Sequence, residues 1–199
     1  RSGEGIGWMN YLSWRTRRAG TLMVGNGTGR KYMTAKYFVD TNILVYFADQ
    51  GAGEKHAEAG NLVARCKTDV QGVISTQVLQ EFHVITTRKL RMDPLVSKDF
   101  LDLFCGMEVV LIDVGLVREA VDVSILNRIS FWDALIVTAA RKAACSVLWT
   151  EDLNHGQIIQ GVRIENPFLK SSSSGPSMVR ESSAKRRPRR GKREELYRV

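Results

Sequence analysis

The sequence predicts an α/β fold, a three-layer α/β/α sandwich with a central parallel sheet. Short, continuously apolar runs recur along the middle of the chain, and segments with a 3.6-residue apolar period lie between them. Strands that are apolar without alternation belong in sheets covered on both faces, as parallel strands linked by helices are. With 199 residues, 44% of them hydrophobic, the chain can build one compact core with modest extensions. The charge distribution marks the limits of that domain. Residues 1–33 carry six basic and one acidic side chain and residues 170–199 carry ten and three, leaving 13 basic and 17 acidic residues between them. The net charge of +8 therefore belongs to two basic tails around a mildly acidic domain over residues 34–168.

In chain order, residues 1–33 show no sustained period and are rich in Gly, Arg and Thr. They are expected to be a flexible extension, with Met33 the natural start and what precedes it an upstream addition. The run "YFV" (37–39) is the first strand, leading through Asp40 into a short apolar helix, "NILVYFA". A helix over 55–67 precedes the strand "GVIS" (72–75), and helices over 76–90 and 94–105 precede "EVVLI" (108–112). Two more helices, 116–128 and 132–144, lead to "SVLW" (146–149) and a last strand, "VRI" (162–164). Residues 169–199 run from Ser, Gly and Pro into Arg and Lys, a composition expected to stay disordered because it cannot bury enough apolar surface. That tail reads first as a solubilising extension, and second as a contact for phosphate backbones.

Cys66, Cys105 and Cys145 are odd in number and roughly 40 residues apart, which matches neither a disulfide framework nor a zinc ribbon. They are expected to be small core hydrophobes in a reducing compartment. The N-terminal apolar run "TLMV" is too short for a signal peptide, and no stretch has membrane length, so a soluble cytoplasmic protein is expected.

Ligands of open parallel sheets bind beyond the carboxyl ends of the strands, which directs attention to acids at strand-to-helix junctions. Asp40 follows "YFV" directly, with no basic residue in the next ten positions; a helix cap explains it structurally, although Thr41 and Asn42 cap equally well. Glu81 lies beside Val78, Phe82 and Ile85 at the edge of an apolar helix face, without Lys or Arg three or four residues away. Asp133 stands three residues after Ser130, as in a capping box, at the start of a helix that is apolar around most of its circumference. Asp152 follows the strand "SVLW" closely, with Glu151 a competitor for any role. Four acids brought together would repel one another or stay protonated unless a cation intervened. Mg²⁺ or Mn²⁺, held by carboxylates and water, meets that need. Zinc does not, because His56, His83 and His155 have no ligand spacing among themselves or with the cysteines. His83 and His155 read as core or surface residues.

The segments "VDTNIL", "STQVLQEF", "SFWDALIVTAA" and "WTEDLNHGQ", in this order, resemble a PIN-domain protein of the VapC type, the ribonuclease toxin of type II toxin–antitoxin modules. The resemblance covers about residues 36–168 and neither tail. It implies an endoribonuclease dependent on Mg²⁺ or Mn²⁺, with Asp40 and Asp133 as its firmest metal ligands. Glu81 and Asp152 would complete the site directly or through water, supported by Asn42 and Thr150. It further implies an RNA substrate, a homodimer and a cognate antitoxin that blocks the active site.

Rival readings fit less well. "VGNGTGR" (24–30) lacks the G-x-G-x-x-G register of a dinucleotide site, and a phosphoacceptor domain needs a late lysine where "VLWTED" supplies acids. A catalytically inactive module of the same fold, binding RNA or protein, is the alternative from another class.

Overall fold

The computed structural model describes residues 35–68 and 70–169. The expectations for the two basic tails and for Met33 as a start lie outside the described residues, apart from Leu169, which is exposed. Six strands form one sheet: β1 (Lys36–Val39), β2 (Gln71–Ser75), β3 (Glu108–Val110), β4 (Val147–Trp149), β5 (Ile158–Ile159) and β6 (Val162–Glu165). Six α-helices accompany them: α1 (Thr41–Ala48), α2 (Glu54–Thr68), α3 (Thr76–Arg88), α4 (Pro94–Phe104), α5 (Val114–Asn127) and α6 (Phe131–Lys142). Among these, no single helix is long and apolar enough to cross a membrane.

The sheet order is β3-β2-β1-β4-β6-β5. In register, Phe38 of β1 stands between Val73 of β2 and Leu148 of β4, and all three are fully buried, which is why these strands read as continuous apolar runs. From β1 the connections step outwards through β2 to β3, whereas the β3-to-β4 connection returns past both to the other side of β1. Because such crossovers are right-handed, the reversal places α1 to α4 on one face and α5 and α6 on the other. The gap between the ends of β1 and β4 is therefore the switch point at which open α/β sheets bind ligands.

The central sheet is parallel as predicted from β1 to β4 and β6, with one antiparallel strand added at its edge. β5 runs antiparallel to β6, joined by a two-residue turn in which Gln160 (φ 52°) and Gly161 (φ 80°) both have positive φ, as a type I′ hairpin requires. A two-residue strand offers no periodicity to read. β3 also stops at Val110 instead of residue 112, because its partner β2 ends at Ser75 where α3 begins. Leu111 is left 69% exposed, and Ile112 donates its N–H to Thr76 Oγ1 at 3.2 Å.

Helix α2 comes close to β2 at Gly72, where a Cβ would lie 2.8 Å from Cys66 Cβ. Burial pushes the Cys66 thiol up to about 11 and the Cys145 thiol up to about 12; Cys145 is the buried core cysteine that was expected, whereas Cys66 is half-buried. Cys105 departs from the expectation. It is exposed at the C-cap of α4, where the end of the helix and not the core fixes its place. Phe47, Phe82, Phe100 and Phe104 interlock α1, α3 and α4, with Phe82 and Phe104 edge-to-face at 5.1 Å. Such pairs contribute about 0.5–1.5 kcal/mol each beyond the area they bury. They anchor the helix that carries Glu81.

Candidate metal centre

Asp40 is 1% exposed and continues β1 by donating its N–H to Trp149 O at 3.1 Å. It is also the N-cap of α1: Oδ1 accepts the Thr41 N–H at 2.7 Å, so the cap falls to Asp40 and not to Thr41 or Asn42. Its other oxygen accepts from Thr150 Oγ1 at 2.7 Å and from Asn42 Nδ2 at 3.3 Å. The capping and site readings are thus one geometry, in which capping by Oδ1 turns Oδ2 towards β4.

Glu81 is 3% exposed on α3. Its Oε2 accepts from Thr41 Oγ1 at 2.8 Å and its Oε1 from Gln77 Nε2 at 2.7 Å. Gln77 also reaches Trp132 O at 3.4 Å, tying α3 to the first turn of α6 immediately before Asp133. Ser130 is the N-cap of α6 as the pattern foresaw, its Oγ accepting the Asp133 N–H at 3.1 Å and donating to Asp133 Oδ2 at 2.8 Å.

Asp152 is exposed beyond β4; its N–H donates to Thr150 Oγ1 at 3.1 Å and its Oδ2 accepts from Asn42 Nδ2 at 3.3 Å. Asn42 therefore spans Asp40 and Asp152, and Thr150 serves both. Glu151 goes elsewhere, accepting from Tyr46 Oη and Lys55 Nζ, each at 2.5 Å. Burial and then the Glu151 carboxylate push the Tyr46 phenol up, so it remains a donor. Burial works against the Lys55 charge, but hydrogen bonds to Glu151 and Tyr46 outweigh it and raise that ammonium. The histidines are engaged structurally: His83 Nδ1 meets Ser97 Oγ at 3.0 Å across α3 and α4, and His155 Nδ1 accepts from Asn166 N–H at 3.0 Å.

Direct hydrogen bonds thus gather Asp40, Asn42, Thr150 and Asp152. Glu81 joins through Thr41, and Asp133 through the Gln77–Trp132 contact. Thr41 and Gln77 are supporting residues that the sequence reading missed, although each is a polar side chain inside an otherwise apolar motif, "VDTNIL" and "STQVLQEF". Among the described residues, no three His, Cys, Asp or Glu side chains converge to ligating distance. A hard divalent ion does not need such a cage, since one or two carboxylates and its own waters suffice. Two buried amide oxygens at this site, Asn42 Oδ1 and Gln77 Oε1, have no hydrogen-bond partner among the described residues. Both amide nitrogens are committed to acceptors, which fixes the side-chain orientations. Oxygen acceptors beside carboxylates form a donor set suited to Mg²⁺ or Mn²⁺ and its hydration shell.

The PIN-domain family model matches residues 37–158, more than half of the chain. No curated protein matches. Solved structures that are similar include VapC20 of Mycobacterium tuberculosis, described as a sarcin–ricin loop cleaving toxin; identity is 21% and the TM-score 0.48, over 58% of this chain and 89% of that one. VapBC2 from Rickettsia felis, bound to a promoter DNA fragment, is 22% identical with a TM-score of 0.48, over 66% of this chain and 98% of that one. A toxin–antitoxin complex from Klebsiella pneumoniae is 18% identical with a TM-score of 0.50, over the same shares. At these identities the likeness concerns the fold.

Proposed function

This chain belongs to the PIN-domain family, and from that premise we propose that it is a metal-dependent endoribonuclease, the toxin of a VapC-type toxin–antitoxin module. The observation that carries the reading is the placement of Asp40 at the sheet's switch point, with Asp152 and Glu81 linked to it through Asn42, Thr150 and Thr41. Asp40, Glu81, Asp133 and Asp152 would hold Mg²⁺ or Mn²⁺. When bound, such an ion offsets negative charge on a phosphodiester and makes a water more acidic.

The chain's own residues prepare that site. Thr150 and the Thr41 N–H fix both oxygens of Asp40, and Thr41 and Gln77 fix both oxygens of Glu81, so the acids are aimed before any ligand arrives. A cation held there would reverse the local field of this acidic domain and so favour a polyanion at this point. The proposal extends to a cytoplasmic setting, a cognate antitoxin covering the acids, and a homodimer. The exposed stripe Val114, Val117, Val121 and Ile125 on α5 supports the last of these as an apolar face of helical spacing.

RNA cleavage by the purified chain in Mg²⁺ or Mn²⁺ tests the reading, alongside Asp40→Asn and Asp133→Asn. Cleavage should fall on the order of a hundredfold or more in each variant and vanish in EDTA, with the thermal melt retained. Equal cleavage by all three proteins, or cleavage undiminished in EDTA, overturns the assignment. An inert module would show neither cleavage nor carboxylate-dependent Mn²⁺ binding.

A further inference from the structure

After β4, three consecutive side chains serve two different neighbourhoods. Thr150 and Asp152 face Asp40 and Asn42 at the start of α1, whereas Glu151 reaches Tyr46, one turn further along the same helix. Lys55 of α2 completes that second cluster: its Nζ lies 2.5 Å from Glu151 Oε2, 2.9 Å from Tyr46 Oη, 4.4 Å from the Tyr46 ring centroid and 5.2 Å from that of Phe168. The Tyr46 and Phe168 rings meet edge-to-face at 5.1 Å, which braces the ammonium in place.

Two adjacent acids close to a metal centre pose a problem of choice, since either one at the switch point would strengthen cation binding there. We propose that Lys55 and Tyr46 select between them: by holding Glu151 on the far turn of α1, they make Asp152 the acid that this loop presents to the centre. Lys55 and Tyr46 are positioning residues, acting through Glu151. The inference rests on the metal-centre reading above and adds a determinant, Lys55, that lies outside the acid cluster.

A double-mutant cycle read by Mn²⁺ titration calorimetry tests it without measuring cleavage. In the otherwise wild-type chain, Asp152→Asn should weaken Mn²⁺ binding by about 10-fold, the lower end of what supporting groups at metal sites contribute. In a background of Lys55→Met with Tyr46→Phe the same substitution should cost less than about twofold, because Glu151 has then lost both of the bonds that hold it and takes over, and adding Glu151→Gln should bring the full cost back. Lys55→Arg keeps the cation and should retain the full cost. Lys55 is a partly exposed surface residue, and a melting curve on each variant checks that the fold persists. If wild type binds Mn²⁺ and Asp152→Asn costs the same in every background, or Lys55→Arg behaves as the combined Lys55→Met, Tyr46→Phe background does, the selection idea is overturned while the metal centre stands. If wild type binds no Mn²⁺, both are overturned.

Discussion

The two ends of β1 hold their carboxylates with different kinds of donor. At its start, Lys36 meets Glu108 at 2.6 Å and Gln71 donates to the same carboxylate at 2.9 Å, so charge is answered by charge. At its end, the donors described for Asp40 and Glu81 are the Thr150 and Thr41 hydroxyls, the Asn42 and Gln77 amides and a backbone N–H, all of them neutral. An ion pair of this kind ties strands of the sheet together, whereas a hydroxyl or amide donor fixes the direction of a carboxylate oxygen. The first arrangement secures a sheet edge. The second orients the carboxylate oxygens, as a site for a cation requires.

Substitutions at the two ends should therefore differ in kind. Thr150→Val removes the hydroxyl that holds Asp40 and costs little shape; Mn²⁺ affinity by calorimetry should fall roughly 10- to 100-fold. An unchanged affinity would mean that neutral donors are not what prepares the acids. Near the opposite end, Gly72→Ala drives a Cβ to 2.8 Å from Cys66 Cβ and 2.9 Å from its Sγ. It should cost about 1–3 kcal/mol in urea unfolding, with Mn²⁺ affinity untouched. The smallest effect belongs to Lys36→Met: the ion pair is about one-third exposed on each side, and its loss should cost about 0–1 kcal/mol and leave RNA cleavage at the wild-type rate. A large loss of cleavage in that variant would abolish the distinction between the ends.

Much of the fold was legible because its signals are local. Apolar runs marked β1, β2, β4 and β6, and the Ser130–Asp133 capping pattern marked the start of α6, because neighbouring residues produce both. The features that escaped depend on partners distant in sequence. Whether residues 111 and 112 continue a strand is decided by where β2 stops, 36 residues earlier, and β5 exists only because β6 folds back onto it. The site divides in the same way. Asp40, Asp133 and Asp152 stood out as acids at junctions and Glu81 as an acid at the edge of an apolar helix face, but that Thr41 bridges to Glu81, 40 residues away, and Lys55 to Glu151, 96 residues away, follows from packing that no local pattern records.

β1 lies in the middle of the sheet but at the beginning of the described chain. The hydroxyl that holds Asp40 arrives 110 residues later, on the residue after β4. Local helices can form while the chain is still being made, but pairing β1 with β4 must wait for the last third of the domain. A nascent chain that has not yet reached Thr150 carries Asp40 and Glu81 without the group that aims Asp40 and without Asp152. Chain order thus sets the sequence of assembly: nearly the whole domain must be synthesised before the proposed centre can be complete, and a product that ends before Thr150 would lack it.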